Sequence, residues 1–242
     1  MGRVLLVALV LGLMTGGAHA QEIAISMGGD GSLSSRAIQL FALITVLSLA
    51  PGLAIMLTCF PFIVTVLAIL RQAIGLQQSP PSMLLVSLAL FLTYFVMDPV
   101  LTEAWQAGIA PFLNEALSAE EALPRVLEPF RGFMATRMDM ETFETLASLR
   151  PNAVPADIPA RDAPLSVLIP SFMLSEIARA FEIGFLIFLP FLVIDLVVAA
   201  ILMSMGMMMV PPVVVSLPFK LAFFVVSDGW RLLSEALVRS YV

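Results

Sequence analysis

Residues 165–230 read LSVLIPSFMLSEIARAFEIGFLIFLPFLVIDLVVAAILMSMGMMMVPPVVVSLPFKLAFFVVSDGW. Two arms of almost unbroken apolar composition flank a turn centred on Gly206-Met207-Met208-Met209-Val210-Pro211-Pro212. Each arm is too long for a strand and neither alternates with a period of two, so the stretch predicts a long helix, a tight turn and a returning helix. Pro190 in the outgoing arm and Pro218 in the returning arm are expected to kink them, which helices tolerate where neighbouring helices cover the freed carbonyls. The fold class that follows is all-α, built from membrane-embedded helical hairpins.

Working back along the chain, Arg150 to Pro164 (RPNAVPADIPARDAP) is a Pro-punctuated linker without helical period. Thr102 to about Leu165 is the one stretch of soluble composition. Ser118-Ala119-Glu120-Glu121 has the form of a capping box, Pro129 is placed to open another helix, and Asp139 to cap Met140–Leu149, so a small helical lobe is expected. Before it, Met83–Leu101 reads as an apolar helix meeting Asp98-Pro99 near its end. It is joined by the polar turn 71–82 to an apolar run, Ile38–Leu70, broken at Pro51-Gly52 and again at Pro61. That run is either one long kinked helix or two packed pieces. The segments are then 1–20, a signal peptide; 21–37, a Gly- and Ser-rich lead-in; 38–101, a first hairpin; 102–164, an acidic extracytoplasmic lobe with its linker; and 165–242, the second hairpin. The signal assignment rests on Arg3, the apolar run Val4–Met14 and Ala18-His19-Ala20, with cleavage between Ala20 and Gln21. An uncleaved anchor is the alternative, but about 11 apolar residues are short for a hydrocarbon layer roughly 30 Å thick.

Of the 242 residues, 60% are hydrophobic and 12% charged, so water is not the main solvent of this chain. Cleavage would remove His19, the single histidine, and leave Cys59 as the single thiol. Histidine-based triads, zinc sites and intrachain disulfides are thereby excluded, which argues against an enzyme and calls for no cofactor. Cys59 in its apolar setting reads as packing. The formal net charge is −6, and between Thr102 and Leu165 ten acidic residues face five arginines. That distribution excludes nucleic acid as a partner. Four complete spans beginning outside would put Arg231 and Arg239 outside and leave the turn at 207–212 without a cation, inverting the positive-inside rule. The second hairpin is therefore not expected to be an ordinary lipid-facing pair.

Two sets of residues invite a role. Asp98, Glu176, Arg179, Glu182, Asp195, Lys220 and Asp228 lie within or beside apolar arms, where lipid contact costs at least about 2–3 kcal/mol each. They should face other helices, a partner or water. Asp195 and Lys220 stand at comparable distances on either side of the turn and can pair across the hairpin or with a neighbouring chain; an assembly salt bridge and an ion pathway are both open, with the former favoured. Met205, Met207, Met208 and Met209 sit where the backbone should leave helical geometry, which favours a deformable loop over core filler.

The local words around these sites are Leu70-Arg71-Gln72-Ala73-Ile74-Gly75-Leu76-Gln77-Gln78-Ser79-Pro80-Pro81, Leu90-Phe91-Leu92-Thr93, Pro170-Ser171-Phe172-Met173-Leu174-Ser175-Glu176, Ala180-Phe181-Glu182-Ile183-Gly184-Phe185, Pro190-Phe191-Leu192-Val193-Ile194-Asp195-Leu196-Val197, Met207-Met208-Met209-Val210-Pro211-Pro212, Leu217-Pro218-Phe219-Lys220 and Asp228-Gly229-Trp230. Together they closely resemble the FliP family. These are the flagellar type III export-gate proteins, whose injectisome relatives are called SctR. The likeness runs from about Ile38 to Tyr241 and departs from the family pattern at Pro61-Phe62, Ser82 and Asp98. It implies a channel subunit of the flagellar protein export apparatus in the inner membrane, at the basal body. The partners implied are further copies of the chain, FliQ-like and FliR-like membrane subunits, other export components and unfolded flagellar substrates. It also implies that Met207, Met208 and Met209 form a gasket, while Glu176, Asp195 and Lys220 are intramembrane or assembly charges. No phosphate-binding Gly-x-x-x-x-Gly-Lys stretch is present, so energy would come from elsewhere. An ion-coupled transporter using Asp195 and Lys220 is the second reading, although no paired repeats are visible; a membrane-bound enzyme is the third.

Overall fold

The structure, a computed structural model, describes residues 38, 40–42, 44–45, 48–49, 52, 55–76, 80–150, 158–207 and 209–241. The signal-cleavage pair Ala20 and Gln21 lies outside the described residues. The chain divides into two units, Met1–Leu47 and Ser48–Val242. In the first, the described residues are helical, with the Thr45 hydroxyl bonded to the Phe41 carbonyl at 2.7 Å. Everything that follows concerns the second.

There the chain is all-α: among the described residues no strand occurs. A helical stretch ends at Leu57-Thr58-Cys59, and α1 (Phe60–Ile74) begins with Pro61 in its first turn, where the missing N–H costs nothing. The Ile38–Leu70 run is thus divided at Pro61. Gly52, by contrast, is helical. Gly75 ends α1 in the left-handed region at φ 87°, with its N–H on the Gln72 carbonyl. At 15 residues, about 22 Å, α1 is too short to span a bilayer and is instead the centre of the core. Phe62, Ile63, Val66 and Leu67 are fully buried. α1 packs along α6 at Gly184, where a Cβ would come within 2.4 Å of Ile69 Cδ1. Only glycine allows that approach.

The second apolar helix, α2 (Ser82–Ala104), does not end near Pro99 as expected. It runs on through a π-helical turn, Trp105–Ile109, into α3 (Ala110–Leu113), making one apolar rod of 32 residues. Composition turns soluble from Thr102, but the rod carries Gly108 in its π turn and Pro111 at the start of α3 without breaking, and the chain turns only at Asn114-Glu115, where Glu115 takes φ 58°. Gly108 in the π turn is the contact point for the next helix: a Cβ there would lie 3.0 Å from the Ala122 carbonyl and 2.4 Å from Val126 Cγ2.

That helix is α4 (Ala119–Arg137). Ser118 Oγ accepts from the Glu121 N–H, and the Glu121 carboxylate accepts from the Ser118 N–H at 3.1 Å, a complete capping box. Pro129 opens no helix. It is buried inside α4, and Pro124 also lies within that helix on its exposed face, because the strong cap upstream has already committed the chain. Asp139 caps α5 (Met140–Ser148) through the Thr142 N–H at 2.8 Å. Backbone N–H bonds first, from Ser118 to Glu121 and from Thr142 to Asp139, and then the hydroxyls of the same two residues, hold both carboxyls below the usual range. Of the linker, residues 158–164 are described. Its 3₁₀ turn, Ala160–Asp162, is tied to α4 by Arg131 Nη1, which donates to the Arg161 and Ala163 carbonyls at 3.1 and 2.7 Å.

α6 (Leu165–Ser204) is a single helix of 40 residues that carries Pro170 and Pro190 within it, about 60 Å long and twice the hydrocarbon thickness. α7 (Pro212–Val226) returns with Pro218 inside it. The returning arm then breaks at Ser227-Asp228, with Asp228 at φ 51°, and continues at 62° as α8 (Gly229–Arg239). Among the described residues two helices, Ser82–Leu113 and Leu165–Ser204, are long and apolar enough to cross a membrane, or three spans if the bent α7–α8 pair is one.

Candidate functional site

A polar contact spanning 147 positions of sequence joins the first apolar helix of the core to the returning arm. Lys220 on α7 is 3% exposed; its Nζ donates to Asp195 Oδ2 on α6 at 2.6 Å and to the Ala73 carbonyl in the last turn of α1 at 3.0 Å. The ammonium therefore satisfies a carbonyl that the end of α1 leaves without an intrahelical partner. Ser216, one turn before Lys220 and fully buried, donates from Oγ to Asp195 Oδ1 at 2.6 Å. Both carboxylate oxygens are thus engaged, and the pair lies within one chain. Asp195 remains 28% exposed at its side chain against 4% for Lys220, so the carboxylate opens outward and the ammonium faces inward. An apolar groove of about 380 Å³ runs beside it, between Val193, Val197, Ile201, Val215 and Phe219.

The methionine turn stands at the far end of the same hairpin. α6 ends in a Schellman motif: the Gly206 N–H bonds the Met203 carbonyl at 3.0 Å and the Met207 N–H bonds the Leu202 carbonyl at 2.9 Å, with Gly206 at φ 76°. Pro211 and Pro212 then set the start of α7. The backbone is fixed at both sides while the thioethers project: Met205 is 67% exposed, Met207 42% and Met209 97%. Met208 lies outside the described residues. A nearly fully exposed Met on an apolar hairpin tip has no partner within its own chain and is free to conform to another.

Glu176 has a different setting. It is fully buried on α6, and it takes its hydrogen bond from the Tyr241 hydroxyl, while its Oε1 stands 3.5 Å from Arg137 Nε. Asp98, Arg179, Glu182 and Asp228 are exposed on this chain, in or beside apolar helices; in an assembly they must meet water or a partner. Cys59 is fully buried in the core. Sequence reasoning missed Ser216, the Ala73 carbonyl, Arg137 and Tyr241. Each is separated from its partner by 21 to 147 residues, and no local pattern marks such pairings. Among the described residues no cluster of three or more His, Cys, Asp or Glu side chains is placed to hold a metal ion.

Comparison with known proteins gives one answer. The model of the FliP family matches residues 43–237. A flagellar biosynthetic protein FliP of Caulobacter vibrioides is 49% identical over 98% of this chain and 88% of its own length. That of Rhizobium meliloti is 50% identical over 88% of this chain and 87% of its own, and that of Bacillus subtilis 43% identical over 90% and 98%.

Proposed function

The chain belongs to the FliP family, and from that membership we propose that it is a wall-forming subunit of the flagellar protein export gate, through which unfolded flagellar subunits cross the inner membrane. The relatives are flagellar biosynthetic proteins, and apolar helices of spanning length fit a membrane component of that apparatus. The observation that supports a shared wall is α6: its mean hydropathy is 2.9 over the most apolar stretch, yet only 17% of that stretch is buried within the chain. At about 60 Å the helix exceeds what lipid alone covers, so sister subunits take the remainder.

On this reading copies of the chain stand side by side with FliQ-like and FliR-like subunits at the flagellar basal body. The exposed thioethers of Met207 and Met209, with Met208 between them, form a gasket, since soft side chains close around varied cargo without hydrogen bonds that would retain it. Asp195, Lys220 and Glu176 hold the hairpins in the shape that a neighbour packs against. The subunit is a conduit and not a catalyst. Mass measurement of the detergent-extracted complex, co-expressed with its smaller membrane partners, tests the reading: one large assembly with several copies supports it, and a stable solitary monomer that restores motility would refute it.

A further inference from the structure

Ser240 and Tyr241, just beyond α8, dock where three helices meet. The Tyr241 ring stacks on Phe133 of α4 with centroids 6.0 Å apart and meets Phe62 of α1 edge-on at 5.4 Å. Its hydroxyl donates to Glu176 of α6. The Arg137 guanidinium of α4 lies over the same ring, 4.1 Å from its centroid, and Nη1 donates to the Ser240 carbonyl at 2.6 Å. Two residues thus connect the acidic segment to the apolar helices, through contacts spanning 65 to 179 positions of sequence. Burial first, then the Glu176 carboxylate, pushes the Tyr241 phenol well above its ordinary value, so it stays a donor at every physiological pH.

What lies beneath is poorly satisfied even with Ser240 and Tyr241 docked. Glu176 Oε1 and the Arg137 Nε and Nη2 atoms are buried without hydrogen-bond partners, and the 3.5 Å between Nε and Oε1 is too long for a good one. Removing Tyr241 would leave a buried carboxylate with no donor, and Arg137 without its aromatic face; such groups draw in water or separate. We propose that Ser240 and Tyr241 are a latch: docked, they hold α4 shut against α1 and α6 and keep water from the Arg137–Glu176 junction; undocked, they release α4. This stands apart from the export-gate reading and from the ion pair at Lys220.

The chain carries its own reporter. Cys59, its single cysteine, is fully buried one turn before Phe62 at the start of α1, within electrostatic reach of Glu176 and Arg137. We would follow alkylation of Cys59 by N-ethylmaleimide in membranes holding the full chain, scaled to labelling after SDS. The native protein should be protected. Tyr241→Phe, which keeps the ring and loses the donor, should label about tenfold faster through more frequent opening, and Tyr241→Ala faster still. Equal rates for native, Phe and Ala proteins would overturn the latch. If the Ala protein fails to accumulate, the Phe protein decides alone, and an unchanged rate again overturns it.

Discussion

The ion pair at the base of the hairpin makes an asymmetric prediction. Lys220 is the more enclosed partner, 4% exposed at its side chain, with Asp195 at 28%. Replacing Asp195 by Asn leaves a buried ammonium with neutral acceptors alone, the Ala73 carbonyl and the Asn amide oxygen, and stranding a buried charge costs about 3–5 kcal/mol. Replacing Lys220 by Met leaves a carboxylate that still accepts from Ser216 and reaches water at its open edge, so the cost falls to roughly 2–3 kcal/mol. Removing both charges strands neither, and replacement of a buried pair by apolar or neutral groups is often close to neutral; the double variant should lose about 1 kcal/mol or less. The interaction energy extracted from the cycle is then about 4 kcal/mol or more in the restoring direction. The assay is thermal loss of the monodisperse peak of detergent-solubilised protein on size exclusion, where about 3 kcal/mol corresponds to roughly 6–12 °C for a chain of this size. Motility-halo recovery provides a second readout. Additive losses in the double variant, or a Lys220→Met protein that is weaker than Asp195→Asn, would refute the reasoning.

Other predictions address separate contacts. Gly184→Ala places a methyl 2.4 Å from Ile69 Cδ1 and should cost about 1–3 kcal/mol; adding Ile69→Ala should return part of it, and a Gly184→Ala protein as stable as the native one would show that α1 and α6 are not in close contact. On the gasket proposal, Ala in place of Met207, Met208 and Met209 should raise small-ion leakage in cells that assemble the complex, read by a membrane-potential dye; unchanged leakage would remove the role from these residues. The carboxyls of Glu121 and Asp139 are held below their ordinary range, so what they add to α4 and α5 is present above the unfolded carboxylate values and lost as pH falls through the depressed ones. Amide exchange at residues 118–121 and 139–142, corrected for intrinsic rate, should accelerate on acidification over that window and be flat above it. Flat exchange down to the acid limit would show that the caps carry no stability.

The parts of this architecture legible in the sequence were those whose cause is local. The capping box at Ser118–Glu121, the Asp139 cap, the Pro61 start of α1 and the hairpin about Gly206 each depend on neighbours a few residues apart, and side-chain type alone announces them. Where proline was weighed without its surroundings the expectation failed: Pro129 opens no helix but is buried inside α4, and the helix carrying Pro99 does not stop at Leu101 but runs on into the π turn. The break at Asp228 was hidden for the opposite reason, since a non-glycine residue at φ 51° has no compositional mark. At the site, the sequence singled out Glu176, Asp195 and Lys220 as charges in apolar surroundings, but its pattern carried no sign of Tyr241 or Arg137. An aromatic at the chain end and an arginine in a soluble-looking helix are ordinary until the fold brings them to the same carboxylate.

The length of α6 has a bearing on how such a protein is made. A rod about twice as long as the oily layer cannot be sheltered by that layer alone, and some of its greasy flank stays wet from the moment of synthesis until another polypeptide covers it. On the shared-wall proposal a newly made copy is therefore prone to clump or to be degraded until companions arrive, and overproducing this chain alone should load the cell's quality control without adding assembled complexes.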